Sequence, residues 1–353
     1  MPRISSPNRR RILLILLILL MVAGSCAAVM PGLHAFGEAL GATDPVPGSP
    51  AIVTTLATDV PGAGDLAASI NGQTVYCIDE ERRAVVSLDP RGAGRHRDVV
   101  APAAEDLPTP VAAGCLPGDL LALVCRQGDE WTVRTHRIRP GVAADPAEPV
   151  HTLVVGRAGG EIASVDLAVG RSRDWLAVVG IPPPVAPVLR GVFAGSSMRQ
   201  LSDEGWSAVA AGSRPLAIAV SPADEMVLLE ATDADASAAV SYHGPAGREL
   251  LRLDTGLKHV RGVACARDGS ALWVIAGPAE AADRPGGLWR LDAVLRDGRQ
   301  AVRPVCLATL EEPRAIAAVS DQAVVVVHGT TRRTIVRIDS SDTTTTHQEA
   351  IPP

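Results

Sequence analysis

Lysine is almost missing from this chain of 353 residues: Lys258 is the only one, and arginine carries nearly all the remaining positive charge. Aromatic residues make up only 3%, and the net charge is −6. Nucleic acids are held by clustered cations along the phosphates and by rings on which bases stack. With a negative net charge and so few rings, the chain has no electrostatic reason to seek DNA or RNA, and no nucleic-acid partner is expected. Metal-ligand patterns are missing too. Cys26, Cys77, Cys115, Cys125, Cys265 and Cys306 include no CxxC pair. His96, His136, His151, His243, His259 and His328 share no i, i+2 or i, i+4 spacing. No zinc set, and no other metal or cofactor site, is therefore expected. A Gly-x-Ser-x-Gly elbow is also missing, which leaves a hydrolase triad without its usual nucleophile.

What is present begins with Arg9, Arg10 and Arg11, followed by an apolar run from Ile12 to Met30 that breaks at Pro31-Gly32. Arginine-rich flanks stay on the cytoplasmic side, so the rest of the chain is expected outside the cytoplasm, periplasmic or at the cell surface. At 1.5 Å per residue the run just spans a bilayer core of about 30 Å. Three fates are open: an uncleaved anchor, cleavage after a small-x-small pattern at Ser25-Cys26-Ala27, or acylation of Cys26. For acylation, Ala23-Gly24-Ser25-Cys26 resembles a lipobox, with Ala23 departing from its usual first residue. The expected organisation is a basic flank over 1–11, the membrane or signal segment over 12–30 and a Gly/Pro-rich linker over 31–50. A repeat domain over 51–339 and a polar tail over 340–353 follow.

The repeat emerges when six segments are aligned. Leu66-Ala67-Ala68-Ser69 turns at Asn71-Gly72 into Thr74 to Ile78. The same plan recurs at Val111 to Gly114 before Leu120 to Cys125, and at Ala163 to Asp166 before Trp175 to Val179. It returns at Ile218 to Ser221 before Met226 to Leu229, and at Val263 to Ala266 before Ala271 to Ile275. Ile316 to Val319 before Ala323 to Val327 is the sixth, at an average step of about 50 residues. The first run of each pair is small, as a strand crowded against a channel must be. The second is continuously apolar, as a strand buried on both faces must be. Gly, Asp and Pro between them permit tight reversals. Third strands follow, such as Leu288 to Asp292, then fourth strands such as Val305 to Leu310. Four antiparallel strands at this period indicate a propeller blade, so the fold class is all-β, a six-bladed β-propeller. The last unit lacks a fourth strand, and Ile52 to Thr58 offers one from the other end. It is expected to act as a latch, burying Ile52, Val53 and Leu56.

The turns Ser221-Pro222-Ala223-Asp224 and Arg267-Asp268-Gly269-Ser270 resemble the Ser-Pro-Asp-Gly turns of YVTN-type and lactonase-like bacterial β-propellers. The resemblance covers about Ala51 to Asp339 and implies the fold more than any activity. Gluconolactonase-like members hold a divalent ion over the channel with Glu, Asp and Asn. The two asparagines here, Asn8 and Asn71, fall in the basic flank and in a hairpin turn. The sequence therefore favours a membrane-tethered, extracytoplasmic, non-catalytic module binding a ligand or another protein at the propeller mouth. A metal-dependent lactonase-like hydrolase is the alternative. Loops expected at that mouth include Arg126 to Glu130, Ile181 to Pro187, Thr232 to Ser237, Gly277 to Gly287 and Gly329 to Arg333. Thr232, Asp233 and Asp235 carry oxygens suited to calcium, although a solvated acidic loop explains them better. Trp131 and Trp206, flanked by polar residues, are the candidate protein-contact residues. Trp175, Trp273 and Trp289 are expected to pack between blades, and the last five cysteines to be buried thiols.

Overall fold

In a computed structural model, the described residues are 41–340 apart from 93–95, 160–164, 171–174, 182–187, 195–196, 201–212, 233–235, 245–246, 279–285 and 297–298. They form six sheets in a ring, a six-bladed β-propeller. The innermost strands, for blades 1 to 6, are Ala63–Ala68, Thr109–Leu116, Asp166–Val169, Arg214–Val220, Val260–Cys265 and Ala315–Ala318. Each pairs antiparallel with the strand after it, and the first strand of blade 6 packs beside that of blade 1. All six strands overlap the expected small-residue runs, the blade 3 strand by Asp166 alone. In blade 3 the strand begins at Asp166, about three residues later than expected, because both windows are equally small and apolar.

The second strands explain their own composition. Leu272, Val274 and Ala276 of blade 5 join a buried cluster with Val227 and Leu229 of blade 4. Trp273 and Ile275, alternating with them, join Val324 and Val326 of blade 6. A strand's side chains alternate between faces, so a second strand sandwiched between two blades needs apolar residues at every position. Six such clusters occupy the six interfaces between neighbouring blades. The reversals are built as their residues dictate. Gly118 (φ 80°) and Asp119 (φ 58°) take left-handed backbone consecutively before Leu120. At Gly72 (φ 68°) a Cβ would lie 1.8 Å from the carbonyl oxygen of Val319, so glycine lets two blade turns meet.

Ile52–Ala57 pairs antiparallel with Thr334–Asp339, the third strand of blade 6, with Ile52 opposite Asp339 and Ala57 opposite Ile335. The expected burial of its apolar residues is corrected. Ile52 and Val53 are 63% and 50% exposed, whereas Ala57 is buried with Leu56 packed beside it. An outermost strand has no blade beyond it to cover its outer residues. The stretch over 41–50, expected as a linker, is in part an added strand. Val46–Pro47 runs parallel to Arg299–Thr309 at the edge of blade 5, and Thr43 N–H donates to the Val302 carbonyl at 2.7 Å. Pro47 sits at a sheet edge, the position in a sheet that tolerates a missing N–H. No helix among the described residues is long and apolar enough to cross a membrane.

Candidate functional site

The six innermost strands enclose a channel cavity of about 230 Å³, lined mostly by small side chains such as Ala67, Gly114, Ala168 and Ala317. Four charged residues stand where these strands enter the channel: Asp65, Asp166, Arg261 and Arg314. Asp65 Oδ2 accepts from the N–H of Ala113 in the next blade at 2.8 Å. Asp166 Oδ1 accepts from Leu167 N–H at 2.7 Å, and its Oδ2 from Ile218 N–H, again in the next blade, at 2.9 Å. Each aspartate thus ties two innermost strands together.

Burial pushes the Asp65 carboxyl well above the usual range, and the charge of Asp166 adds to the rise, while the Ala113 and Leu66 N–H groups oppose it. Burial likewise raises Asp166 to about 6, against the Ile218 and Leu167 N–H groups that favour its charge. Two half-buried carboxyls lining one cleft with raised pKa values are an arrangement suited to acid–base chemistry.

The arginines line the part of the mouth formed by blades 5 and 6. Arg261 pairs with Glu312 at 2.5 Å, and Arg333 pairs with Glu80 at 2.8 Å. Arg314 donates through Nε to the Gly329 carbonyl at 3.2 Å. Of the expected mouth loops, Gly329 to Arg333 therefore does reach the site, through Arg333 and the Gly329 carbonyl.

These residues do not fit the divalent ion that the lactonase-like resemblance implies. Three of the four aspartate oxygens are already taken by N–H groups, burial favours the neutral acids, and guanidinium groups share the space. Among the described residues no group of three or more His, Cys, Asp or Glu is placed to hold an ion.

The candidate contact residue Trp131 is corrected. It is fully buried in the cluster between blades 2 and 3, its Nε1–H donates to the Ala158 carbonyl at 3.0 Å, and the Arg126 guanidinium lies 5.5 Å from its ring centroid. Its polar neighbours in sequence face the other side of the strand or its end, so they gave a false signal of exposure. Trp206, Cys26, Asp233 and Asp235 lie outside the described residues, as do 182–187 and 279–285. Trp175, Trp273 and Trp289 are buried. Cys77, Cys115, Cys125, Cys265 and Cys306 are free thiols, and burial pushes Cys77, Cys115 and Cys125 up to about 12. Asp65, Asp166, Arg261 and Arg314 escaped the sequence reading, because each looks like a turn or strand-end residue until the ring brings the strand entrances together.

No family model matches the chain, and no curated protein is similar to it in sequence. Solved structures share its fold. A gluconolactonase from Xanthomonas campestris is 17% identical, with a TM-score of 0.50 over 86% of this chain and 97% of that one. A glucose dehydrogenase-type oxidoreductase from a Thermus species is 15% identical, with a TM-score of 0.56 over 82% and 99%. A luciferin-regenerating enzyme is 10% identical, with a TM-score of 0.52 over 83% and 96%. The chain resembles the lactonase-like β-propellers in fold, as its turns suggested.

Proposed function

We propose that the charged channel mouth takes a small hydroxylated ligand and acts on it as a lactonase-like hydrolase, opening a cyclic ester without a divalent ion. The carrying observation is the pair of half-buried carboxyls, Asp65 and Asp166, that line one small cavity together with guanidinium groups. With a pKa of about 6, Asp166 is mostly ionised at neutral pH and suited to take a proton from water. Asp65, also raised, is suited to give one to the leaving ring oxygen. A guanidinium would stabilise the oxyanion between these steps. The solved neighbours named for sugar or ester chemistry lend the fold-level precedent only. A second reading, a non-catalytic module docking a ligand or a protein partner, draws on the inter-blade hydrogen bonds of both aspartates, which give them a structural duty.

Asp166→Asn tests the proposal in two ways. Glucono-δ-lactone opening in excess chelator should exceed the spontaneous rate in the native protein and fall to that rate in the variant. Binding without turnover would select the second reading, and neither binding nor turnover would sink both. Stability should respond as well. A carboxyl whose folded pKa is raised contributes stability that is fully present below about pH 4 and is lost as pH rises through about 6. The unfolding free energy should therefore fall between pH 4 and 7 by about 2 kcal/mol, seen as a lower native melting temperature, and the variant should flatten that slope. An unchanged slope would assign the titration to another group.

We also propose that residues 12–30 tether the domain outside the cytoplasm and that Ile52–Ala57 latches the ring. The tether is supported by the three arginines before an apolar run. An alkaline carbonate wash should leave the protein in the membrane fraction, and its release would overturn the tether.

A further inference from the structure

We propose that Arg314 is the anion-binding subsite of the channel mouth and that it takes the carboxylate of a small monoanionic hydroxy acid. The inference rests on the reading of the mouth as a site for a hydroxylated ligand, and it adds which atom of the protein recognises which group.

Three guanidinium groups gather on the wall formed by blades 5 and 6, and two of them are already matched. Glu312 answers Arg261, and Glu80 answers Arg333. Arg314 makes no ion pair among the described residues. The one hydrogen bond of its side chain among the described residues, from Nε to the Gly329 carbonyl, holds the guanidinium at the channel entrance. Burial and then the charges of Arg333 and Arg261 disfavour its cation, with Glu80 and Glu312 only partly offsetting them. A guanidinium held in place beside two like charges gains most from a partner that brings negative charge.

The class of anion follows from the charge balance. On the wall of blades 5 and 6 the two matched pairs leave Arg314 as the one guanidinium without a counter-charge among the described residues, which a monoanion neutralises and a phosphate dianion overshoots. A planar carboxylate also fits the planar donor fork of arginine. The cavity of about 230 Å³ admits a small molecule rather than a protein segment of any length. Elsewhere on its lining, Asp65 and Asp166, with their raised pKa values, offer O–H donors and acceptors matched to hydroxyl groups rather than to a second carboxylate. Carboxylate on one side and hydroxyls on the other describe a hydroxy acid, which is also the product when a lactone opens: water adds to the acyl carbon, the ring C–O bond breaks, and a proton is released.

The test is calorimetric titration of the full chain in detergent with gluconate, glucose, lactate and inorganic phosphate, for the native protein and for Arg314→Gln. The native protein should bind gluconate at least tenfold more tightly than glucose. The variant, with a melting temperature close to native, should lose that tenfold while its glucose affinity is unchanged. Gluconate bound no better than glucose, or equally well by the variant, would overturn the subsite while leaving the hydroxylated-ligand reading intact. Phosphate bound as tightly as gluconate would overturn the monocarboxylate class. Lactate binding that depends on Arg314, with neither sugar compound bound, would keep the subsite and sink the sugar reading. No binding of any probe would sink both.

Discussion

Deleting Ile52–Ala57 should lower the melting temperature of the domain by on the order of 10 °C and make it aggregate on heating. The strand's contribution is mostly its ladder to Thr334–Asp339, since Ile52 and Val53 face outwards. Backbone hydrogen bonds contribute about 0.5–1.5 kcal/mol each in net terms, and a ladder six residues long sums to a large part of the roughly 5–15 kcal/mol that holds a typical domain. Leu56 and Ala57 add apolar contact where blade 6 meets blade 1. The deletion also bares an edge along Ile335 to Ile338 that can pair with another chain. Removing the polar residues 343–353 should change nothing measurable. Thermal scans with light scattering compare the two deletions, and equal behaviour would show that the ring does not depend on this strand.

Replacing Arg252 by alanine should cost about 3–5 kcal/mol, far more than an ordinary substitution near a surface. Arg252 pairs at 2.5 Å with Glu230, whose side chain is fully buried inside blade 4. Glu230 Oε1 also accepts from Ser241 Oγ at 2.8 Å, and Ser241 Oγ lies 2.9 Å from His243 Nε2. Removing the arginine leaves a buried carboxylate without its counter-charge, the costliest way to break such a pair. Replacing both partners, as Glu230→Leu with Arg252→Met, should recover most of the loss, because no charge is then stranded. Urea denaturation of both variants measures this. A single substitution costing less than about 1 kcal/mol would show that the pair behaves as a solvated one.

The blade count was legible because the second strands carry their environment in their composition. Met226 to Leu229 and Ala323 to Val327 have no polar residue, and only a strand covered on both faces needs that. Glu230 shows the limit of such reasoning: it ends an apolar run and reads as the charged edge of a strand, yet it is buried with a partner 22 residues away. Trp131 misled in the opposite direction, since polar sequence neighbours on a strand say nothing about the face that the ring lies on. The channel charges were illegible for a related reason. Asp65 and Asp166 belong to blades 1 and 3, Arg261 and Arg314 to blades 5 and 6, and no spacing in the sequence records a meeting produced by closure of a ring.

That closure also sets a clock. The strand that completes blade 6 is made near the start of the domain, and its partner, Thr334–Asp339, near the end. At about 5–20 residues per second, the ribosome needs on the order of 15 to 60 seconds to supply the second after the first. Through that interval Ile52–Ala57 has no native partner, and Thr334–Asp339 cannot fold into a finished sheet until it finds one. Contacts between the two ends of a chain come late and slowly. The final step of folding is therefore a search by one end for the other, and it is the step at which a helper protein or a crowded neighbour would decide between a closed ring and two chains joined edge to edge.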